Sequence, residues 1–357
     1  MTRLEPTRRA LESLALYHKL TRRLHGRGAA TVALARQRSR FYEEVWRRAA
    51  DTAGAEVTVV DGSLLHIGFQ KGRLLVRENL TSLDDPVTLA IAGDKPLAYR
   101  LLADDGIPVA EHVVVRHDDL ASAEEFLRCL AAPCVVKPAL DGAAGAGVTT
   151  GVVDRRHLAG ALARAGAWSV DVLLERQVEG GSYRLLYFDG ELLDAVLRGP
   201  PLLRGDGRST IRHLVAAENS ERAARGIEVA QTLLGVDRDL RTTLRRQGYG
   251  LESVPPAGAV VQAKTVVNDN RRDENEAAGE WLCPEVVATG ASAARAIGAR
   301  LAGVDVMTTD PGVPLEHSGG VVLEVNTTPG YYYHYHRRGA EAPVATMILE
   351  RLAGGRG

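Results

Sequence analysis

Val135-Val136-Lys137-Pro138-Ala139-Leu140-Asp141-Gly142-Ala143-Ala144-Gly145-Ala146-Gly147-Val148 runs from an apolar strand through a glycine-rich loop into a second strand. Glycine lets a backbone approach a phosphate closely and turn several N–H groups toward it. No Gly-Lys-Ser/Thr opens a helix here, so this is not a Walker A loop. A strand-like run follows the glycines, which also excludes a dinucleotide fingerprint. A hairpin turn has the same composition, and the stretch alone leaves both readings open. Lys137 adds weight, because only five of the 44 basic residues are lysines, at positions 19, 71, 95, 137 and 264. A compact ammonium suits a point contact with phosphate, where guanidinium prefers a planar fork.

Short elements alternate around this stretch. Residues 7–53 read as helical, followed by strand-like runs at 56–60, 64–69 and 73–76 and a turn-rich break at 82–86. A helix at 95–104 precedes strands at 112–115 and 134–137 with a helix at 121–130 between them. Runs at 148–153, 157–165 and 170–175 continue the alternation, which Pro200-Pro201 and Pro255-Pro256 interrupt by bracketing an inserted helical piece, 200–258. A long helix at 284–301, strands at 303–307 and 321–326 and a last helix at 344–352 complete the chain. The class is α/β or α+β, and 357 residues call for two or three subdomains.

A formal charge of −1 gives no reason to expect nucleic-acid or membrane binding. The arginine-rich first fifty residues read as a solvated amphipathic helix. No apolar run is long enough to span a bilayer, and the charged N-terminus is not a secretory signal. Three cysteines without CxxC spacing argue against a disulfide framework, so a cytoplasmic location is expected.

A second constellation sits in two apolar strands. In Val321-Val322-Leu323-Glu324-Val325-Asn326 the polar residues share one face, and Gly303-Val304-Asp305-Val306-Met307 centres a carboxylate among aliphatics. Ionised groups in such surroundings need a partner or a metal. Two carboxylates and an amide oxygen suit Mg²⁺, while polar strand ends facing solvent would look the same.

Taken together these pieces resemble the ATP-grasp superfamily over roughly residues 85–350. Within it the likeness is to the ATP-grasp modules of cyanophycin synthetase and bifunctional glutathione synthetase. It is carried by Val-Val-Lys-Pro with its glycine loop, by Glu175-Arg176 with Ser182-Tyr183-Arg184, and by Pro200-Pro201 through Gly205-Asp206-Gly207-Arg208-Ser209-Thr210-Ile211. The resemblance implies an α+β ATP-grasp fold, divided as 1–85 (helical extension and preceding domain), 86–175 (central subdomain) and 176–357 (C-terminal subdomain with the insertion). It implies ATP bound by Lys95, Lys137, Gly142, Gly145, Gly147, Glu175, Arg176 and Val178, and Mg²⁺, with Mn²⁺ as a substitute, on Asp305, Glu324 and Asn326. Arg184 and Lys264 take catalytic roles near the transferred phosphoryl group. Asn268, Asn270, Arg271, Thr328, Gly330 and Tyr331 fall on the substrate side.

The implied activity is amide formation between a small carboxylate and an amine, with release of ADP and phosphate. A small-molecule kinase or a non-catalytic nucleotide-binding regulator on the same fold are the alternatives. The expected partners are small molecules, with a homodimer left open. Ser182 stands where the family commonly places an acidic ribose contact, and the family's Arg-Asn and Ser-Gly-Gly pattern is replaced by Lys264 to Arg272. The run Tyr331-Tyr332-Tyr333-His334-Tyr335-His336 lines a pocket or packs the last subdomain.

Overall fold

The computed structural model describes residues 8–24, 29–70, 72–140 and 145–354. Two helices, α1 (Arg8–Leu24) and α2 (Ala29–Ala53), replace the single helical stretch expected, and an antiparallel meander β1 (Glu56–Asp61), β2 (Leu64–Phe69), β3 (Gly72–Arg77) and β4 (Leu80–Thr81) follows. A capping Asp followed by Pro within two residues then starts each of two helices. Asp85 caps α3 (Pro86–Gly93), and Asp94 caps α4 (Lys95–Asp104), its carboxylate accepting the Leu97 N–H. Proline at the first helical turn loses no hydrogen bond there.

A four-stranded antiparallel sheet comes next, in the order β5 (His112–Arg116), β8 (Asp171–Arg176), β6 (Cys134–Pro138), β7 (Thr149–Val152), and it is covered by α5 (Leu120–Leu130) and α6 (Arg155–Ala165). Its apolar core includes Val136, Leu162, Val172 and Leu174, and it recruits Leu11 of α1 from the far end of the sequence.

The larger sheet has the order β13 (Asn275–Ala277), β10 (Glu191–Arg198), β9 (Gly181–Phe188), β14 (Leu301–Thr308), β15 (Val321–Asn326), antiparallel throughout. β9 and β10, which the sequence reading left unassigned, occupy its centre. Alternation along β9 explains their depth. Tyr183, Leu185 and Tyr187 enter one core with α4 and α9 (Pro284–Ile297), while Leu186 and Phe188 enter another with α2 and α12 (Val344–Gly354). A strand buried on both faces reads as a plain apolar run, and here an arginine interrupts it. The helix α9 ends at Ile297, short of the expected boundary, because Gly298 takes a left-handed conformation (φ 79°) and residues 301–302 already belong to β14. Two four-residue helices, α10 (Leu315–Ser318) and α11 (Tyr332–Tyr335), complete this region.

The inserted segment is less purely helical than expected. Its ends pair as a ribbon of β11 (Leu202–Arg204) and β12 (Val260–Gln262), and α7 (Ile211–Arg225) and α8 (Arg238–Arg246) enclose a core of their own around Ile211, Leu240, Leu244 and Val261. α3 and α4 precede the smaller sheet in sequence, yet Ile91, Tyr99 and Leu102 pack into the core of the larger one.

Candidate active site

α4 begins against the strand that leads into the glycine stretch. The Lys95 N–H donates to Ala139 O (3.1 Å), and Asp94 bridges to Leu140. One helical turn on, Tyr99 projects from the same face. Its buried hydroxyl lies 2.7 Å from Glu175 Oε2, 3.0 Å from Leu323 O and 3.1 Å from Lys137 Nζ. Lys137 in turn pairs with Glu175 at 2.8 Å, and the register of β6 on β8 brings them to neighbouring strands. Burial first, then the Glu175 carboxylate, pushes the Tyr99 phenol well above its usual range, so it serves as a neutral donor. Sequence reasoning missed Tyr99. The signal was its position four residues after Lys95 on a helix that a capping Asp and a proline define.

The same path continues to β15. Lys95 Nζ sits 3.4 Å from Glu324 Oε1, and Asn326 donates from Nδ2 to Gly303 O (3.2 Å) and toward Glu324 Oε2 (3.5 Å). Asp305 lies opposite Glu324 in the β14–β15 register and opposite Arg184 in the β14–β9 register. Arg184 grips Asp305 through Nε and through Nη2 (2.9 Å to Oδ2), and Arg198 adds a contact at 3.1 Å. Burial alone would raise the Asp305 carboxyl, but the two guanidinium groups outweigh it and hold it below the usual carboxylate range. Arg198, which ends the central strand β10 and also donates to Ser182 Oγ (2.8 Å), was not selected from the sequence. An arginine closing an apolar alternation was the available clue.

Two carboxylates and one amide oxygen make a hard-oxygen donor set that fits Mg²⁺. Glu324 is one-third exposed, and Asn326 turns its Nδ2 toward it, so the amide oxygen would have to rotate in to join the set. Three of the roughly four lone-pair positions on Asp305 are taken by arginine. Among the described residues no three His, Cys, Asp or Glu side chains cluster as a ready metal cage, so any cation here would share phosphate and water ligands.

The remaining expected residues distribute as follows. Gly142 lies outside the described residues. Gly145 and Gly147 both have left-handed backbones (φ 82° and 81°), and a Cβ would meet Val266 Cγ1 at 2.9 Å and Trp168 Cδ1 at 2.8 Å respectively, so side chains are excluded there. They line a cavity of about 330 Å³ with Lys264, Asp237 and Asp269, and Asn268 reaches to within 3.2 Å of the place a Gly145 Cβ would occupy. Lys264 is buried between Asp237 (2.6 Å) and Asp269 (2.5 Å), and its pKa is raised because those carboxylates outweigh its desolvation. The Arg176 N–H is taken by Glu111 O, leaving its carbonyl, and Val178 is half-buried just beyond β8.

Arg271 donates to Glu218, Glu221 and Asp273, and Asn270 to Gly199 O and Asn275 Oδ1, so both are engaged within the fold. Tyr331 is fully buried against Tyr42 and Trp46, its N–H bound by the Tyr42 hydroxyl, and the tyrosine run packs the last region from α11. His334 pairs with Asp194 (2.7 Å). Thr328 O accepts from Asn79 Nδ2 (2.6 Å), and Gly330 adjoins Tyr42.

Residues 101–185 match the family described as D-ala D-ala ligase C-terminus. The chain is 31% identical over 299 residues to cyanophycin synthetase of Trichormus variabilis, covering 81% of this chain and 32% of that protein. The glutathione biosynthesis bifunctional protein GshAB of Streptococcus mutans is 28% identical over 282 residues, covering 77% of this chain and 37% of that one. The chain thus spans about a third of the length of these curated relatives. The fold superposes on the crystal structure of a bifunctional glutathione synthetase from Pasteurella multocida with a TM-score of 0.55 at 23% identity, over 84% of this chain and 42% of that one. Two antiparallel sheets linked through Lys137, Glu175, Tyr99 and the Lys95–Glu324 pair, joined to these sequence matches, establish that the chain belongs to the ATP-grasp superfamily of carboxylate–amine ligases, related to cyanophycin synthetase and to GshAB-type enzymes.

Proposed function

We propose that the chain is an ATP-dependent ligase that joins a carboxylate to an amine, drawn from amino acids or short peptides, through an acyl phosphate. The observation that carries this reading is a pair of polar links between the smaller sheet and the larger: Lys137 and Glu175 meet Tyr99, whose hydroxyl reaches Leu323 O, and Lys95, four residues earlier on α4, pairs with Glu324 beside Asn326. In this reading residues 86–175 and 176–357 grip the nucleotide, and 1–85 and the 200–258 insertion flank them.

Glu175 with the backbone of Arg176 and Val178 holds the base, and Lys95, Lys137, Gly142, Gly145 and Gly147 face the phosphates. Asp305, Glu324 and Asn326 would hold Mg²⁺ or Mn²⁺, which when bound neutralises charge on the outer phosphates. A substrate carboxylate oxygen attacks the terminal phosphorus and the bond to the ADP oxygen breaks. The amine nitrogen then attacks the acyl carbon, the bond to phosphate breaks, and the amine loses a proton. Arg184 and Lys264 lower the cost of bringing two anions together. Asn268 and Thr328 are proposed to meet the substrates, while Asn270, Arg271, Gly330 and Tyr331 position that wall. Among the described residues no helix is long and apolar enough to cross a membrane. A cytoplasmic setting and a homodimer remain part of the proposal.

The test is a chromatographic assay of nucleotides with carboxylate and amine pools, ATP and Mg²⁺. ADP with an amide product, and a hydroxamate when hydroxylamine replaces the amine, are expected. AMP as the primary product overturns the acyl-phosphate route, and ADP with a stable phosphorylated product and no amine dependence turns the reading to a kinase.

A further inference from the structure

β15 ends at Asn326, but the alternation of burial along it does not. Glu324, Asn326, Thr328 and Gly330 are half-buried, while Val325, Thr327, Pro329 and Tyr331 are buried. The row that carries Glu324 and Asn326 therefore runs on along the loop 327–331. The β14–β15 ladder stops at the Gly303–Asn326 pair, so the backbone of this loop must find its hydrogen bonds elsewhere.

It finds them in the first eighty residues. Thr328 O accepts from Asn79 Nδ2 (2.6 Å), and the Tyr331 N–H donates to the Tyr42 hydroxyl (3.1 Å). The same hydroxyl would lie 3.5 Å from a Cβ at Gly330, so α2 abuts the loop. Tyr42 is 2% exposed, and burial raises its phenol above the usual range, so it meets the loop as a neutral group.

The aim of Asn79 is set from α2 as well. β3 and β4 are joined by two residues, Glu78 and Asn79, and a hairpin this tight calls for a left-handed first residue, ordinarily glycine or asparagine. Glu78 takes that conformation instead (φ 55°), which a residue with a long side chain keeps only when its surroundings hold it. Trp46, wholly buried in α2, donates from Nε1 to Glu78 O (2.9 Å), and Arg38 Nε pairs with the Glu78 carboxylate (3.3 Å). The turn so held places Asn79 against Thr328.

We propose that Asn79 and Tyr42 are positioning residues for the reaction, holding the loop 327–331 so that Thr328 meets the substrates in line with Glu324 and Asn326. The inference rests on the ligase reading and deepens it, because it makes the region before residue 85 part of the site instead of a flank. A displacement of about 1 Å in such a wall can cost on the order of a hundredfold in rate. Both residues act through the loop, so nucleotide binding should be indifferent to them.

The test is hydroxamate formation by the full chain from a carboxylate pool with hydroxylamine, ATP and Mg²⁺, beside calorimetric titration with a non-hydrolysable ATP analogue and Mg²⁺. Asn79→Ala removes the donor to Thr328 O and should lower hydroxamate turnover at saturating ATP about tenfold or more. Tyr42→Phe keeps the ring, removes the acceptor for the Tyr331 N–H and should lower turnover about threefold. In both variants KM for ATP and affinity for the analogue should stay within about twofold, a split that general loosening of the fold would not produce. The control Arg77→Gln changes an exposed side chain beside the same turn and should match the parent. Turnover of Asn79→Ala equal to the parent's, or a loss of analogue affinity in step with turnover, overturns this proposal alone. A parent chain that forms no hydroxamate overturns the ligase reading, and this inference with it.

Discussion

Two regions hold the charged residues that the sequence singled out, and they differ in how much of that charge is already satisfied. Along β8, α4 and β15 each lysine meets a single carboxylate, Lys137 with Glu175 and Lys95 with Glu324, and Glu324 stays partly exposed. In the stretch that follows the insertion and packs back on it, Lys264 lies between two carboxylates, and Arg271 among three. The first arrangement leaves each cation with one acid partner, whereas in the second each cation already meets two or more. Both regions set basic side chains against carboxylates. What separates them is the number of acids that the fold delivers to each cation.

The strongest way to break this comparison is at the paired strands. Glu324→Ala should lower amide formation by about two to three orders of magnitude, the range for losing one preorganised charge at a reaction centre, with stability near the parent. Asp305→Ala should lose activity and also about 3–5 kcal/mol of stability, because it leaves Arg184 and Arg198 buried without a counterion. Turnover across a range of Mg²⁺ and Mn²⁺, with urea unfolding of both variants, separates the two effects. Equal stability loss in both would erase the contrast between the strands. Lys137→Ala should weaken nucleotide binding by about 1.5–3 kcal/mol, and unchanged affinity by calorimetry would remove Lys137 from the phosphate contacts.

The stretch after the insertion should respond differently. Arg271→Ala is expected to lose about 1–2 kcal/mol of stability, discounted for solvent at its exposed partners, with KM for both substrates within about twofold. A raised KM at unchanged stability would make Arg271 a substrate clamp after all. The smallest effect is a pH dependence nearby. Glu274 accepts from the Leu202 and Arg271 N–H groups, yet burial outweighs them and pushes its carboxyl up to about 7. A folded pKa above the unfolded value means protons bind the folded state more tightly, so this contribution is full below the unfolded pKa and lost as pH rises through about 7. Glu274→Gln should flatten that part of the stability profile, measured by thermal unfolding between about pH 4.5 and 7.

Much of this was legible in the sequence where local chemistry decides structure. Asp94-Lys-Pro announced α4 at its observed bounds, and the glycines after Lys137 marked a turn that side chains cannot enter. The face shared by Glu324 and Asn326 followed from strand alternation. What stayed hidden depends on distant pairing. Tyr99 acquires its role only when β6, β8 and β15 close on it, Arg198 only when β10 pairs with β9, and Asp269 only when Lys264 and the insertion meet it, and β9 lacked the polar face that marks a half-buried strand. The tyrosine run showed the converse, since a pocket lining and a packing core draw on the same residues.

The β11–β12 ribbon has one further consequence. The chain leaves the main body at Arg204 and returns at Val260, and these two residues are directly paired. Seen from the rest of the molecule, everything between them is the tip of a hairpin, and closure entropy grows only with the logarithm of what that tip contains. The loops inside this appendage are therefore free to change length at little thermodynamic penalty to the sheet that bears it, while Asp237, Glu218 and Glu221 tie its helices back to Lys264 and Arg271.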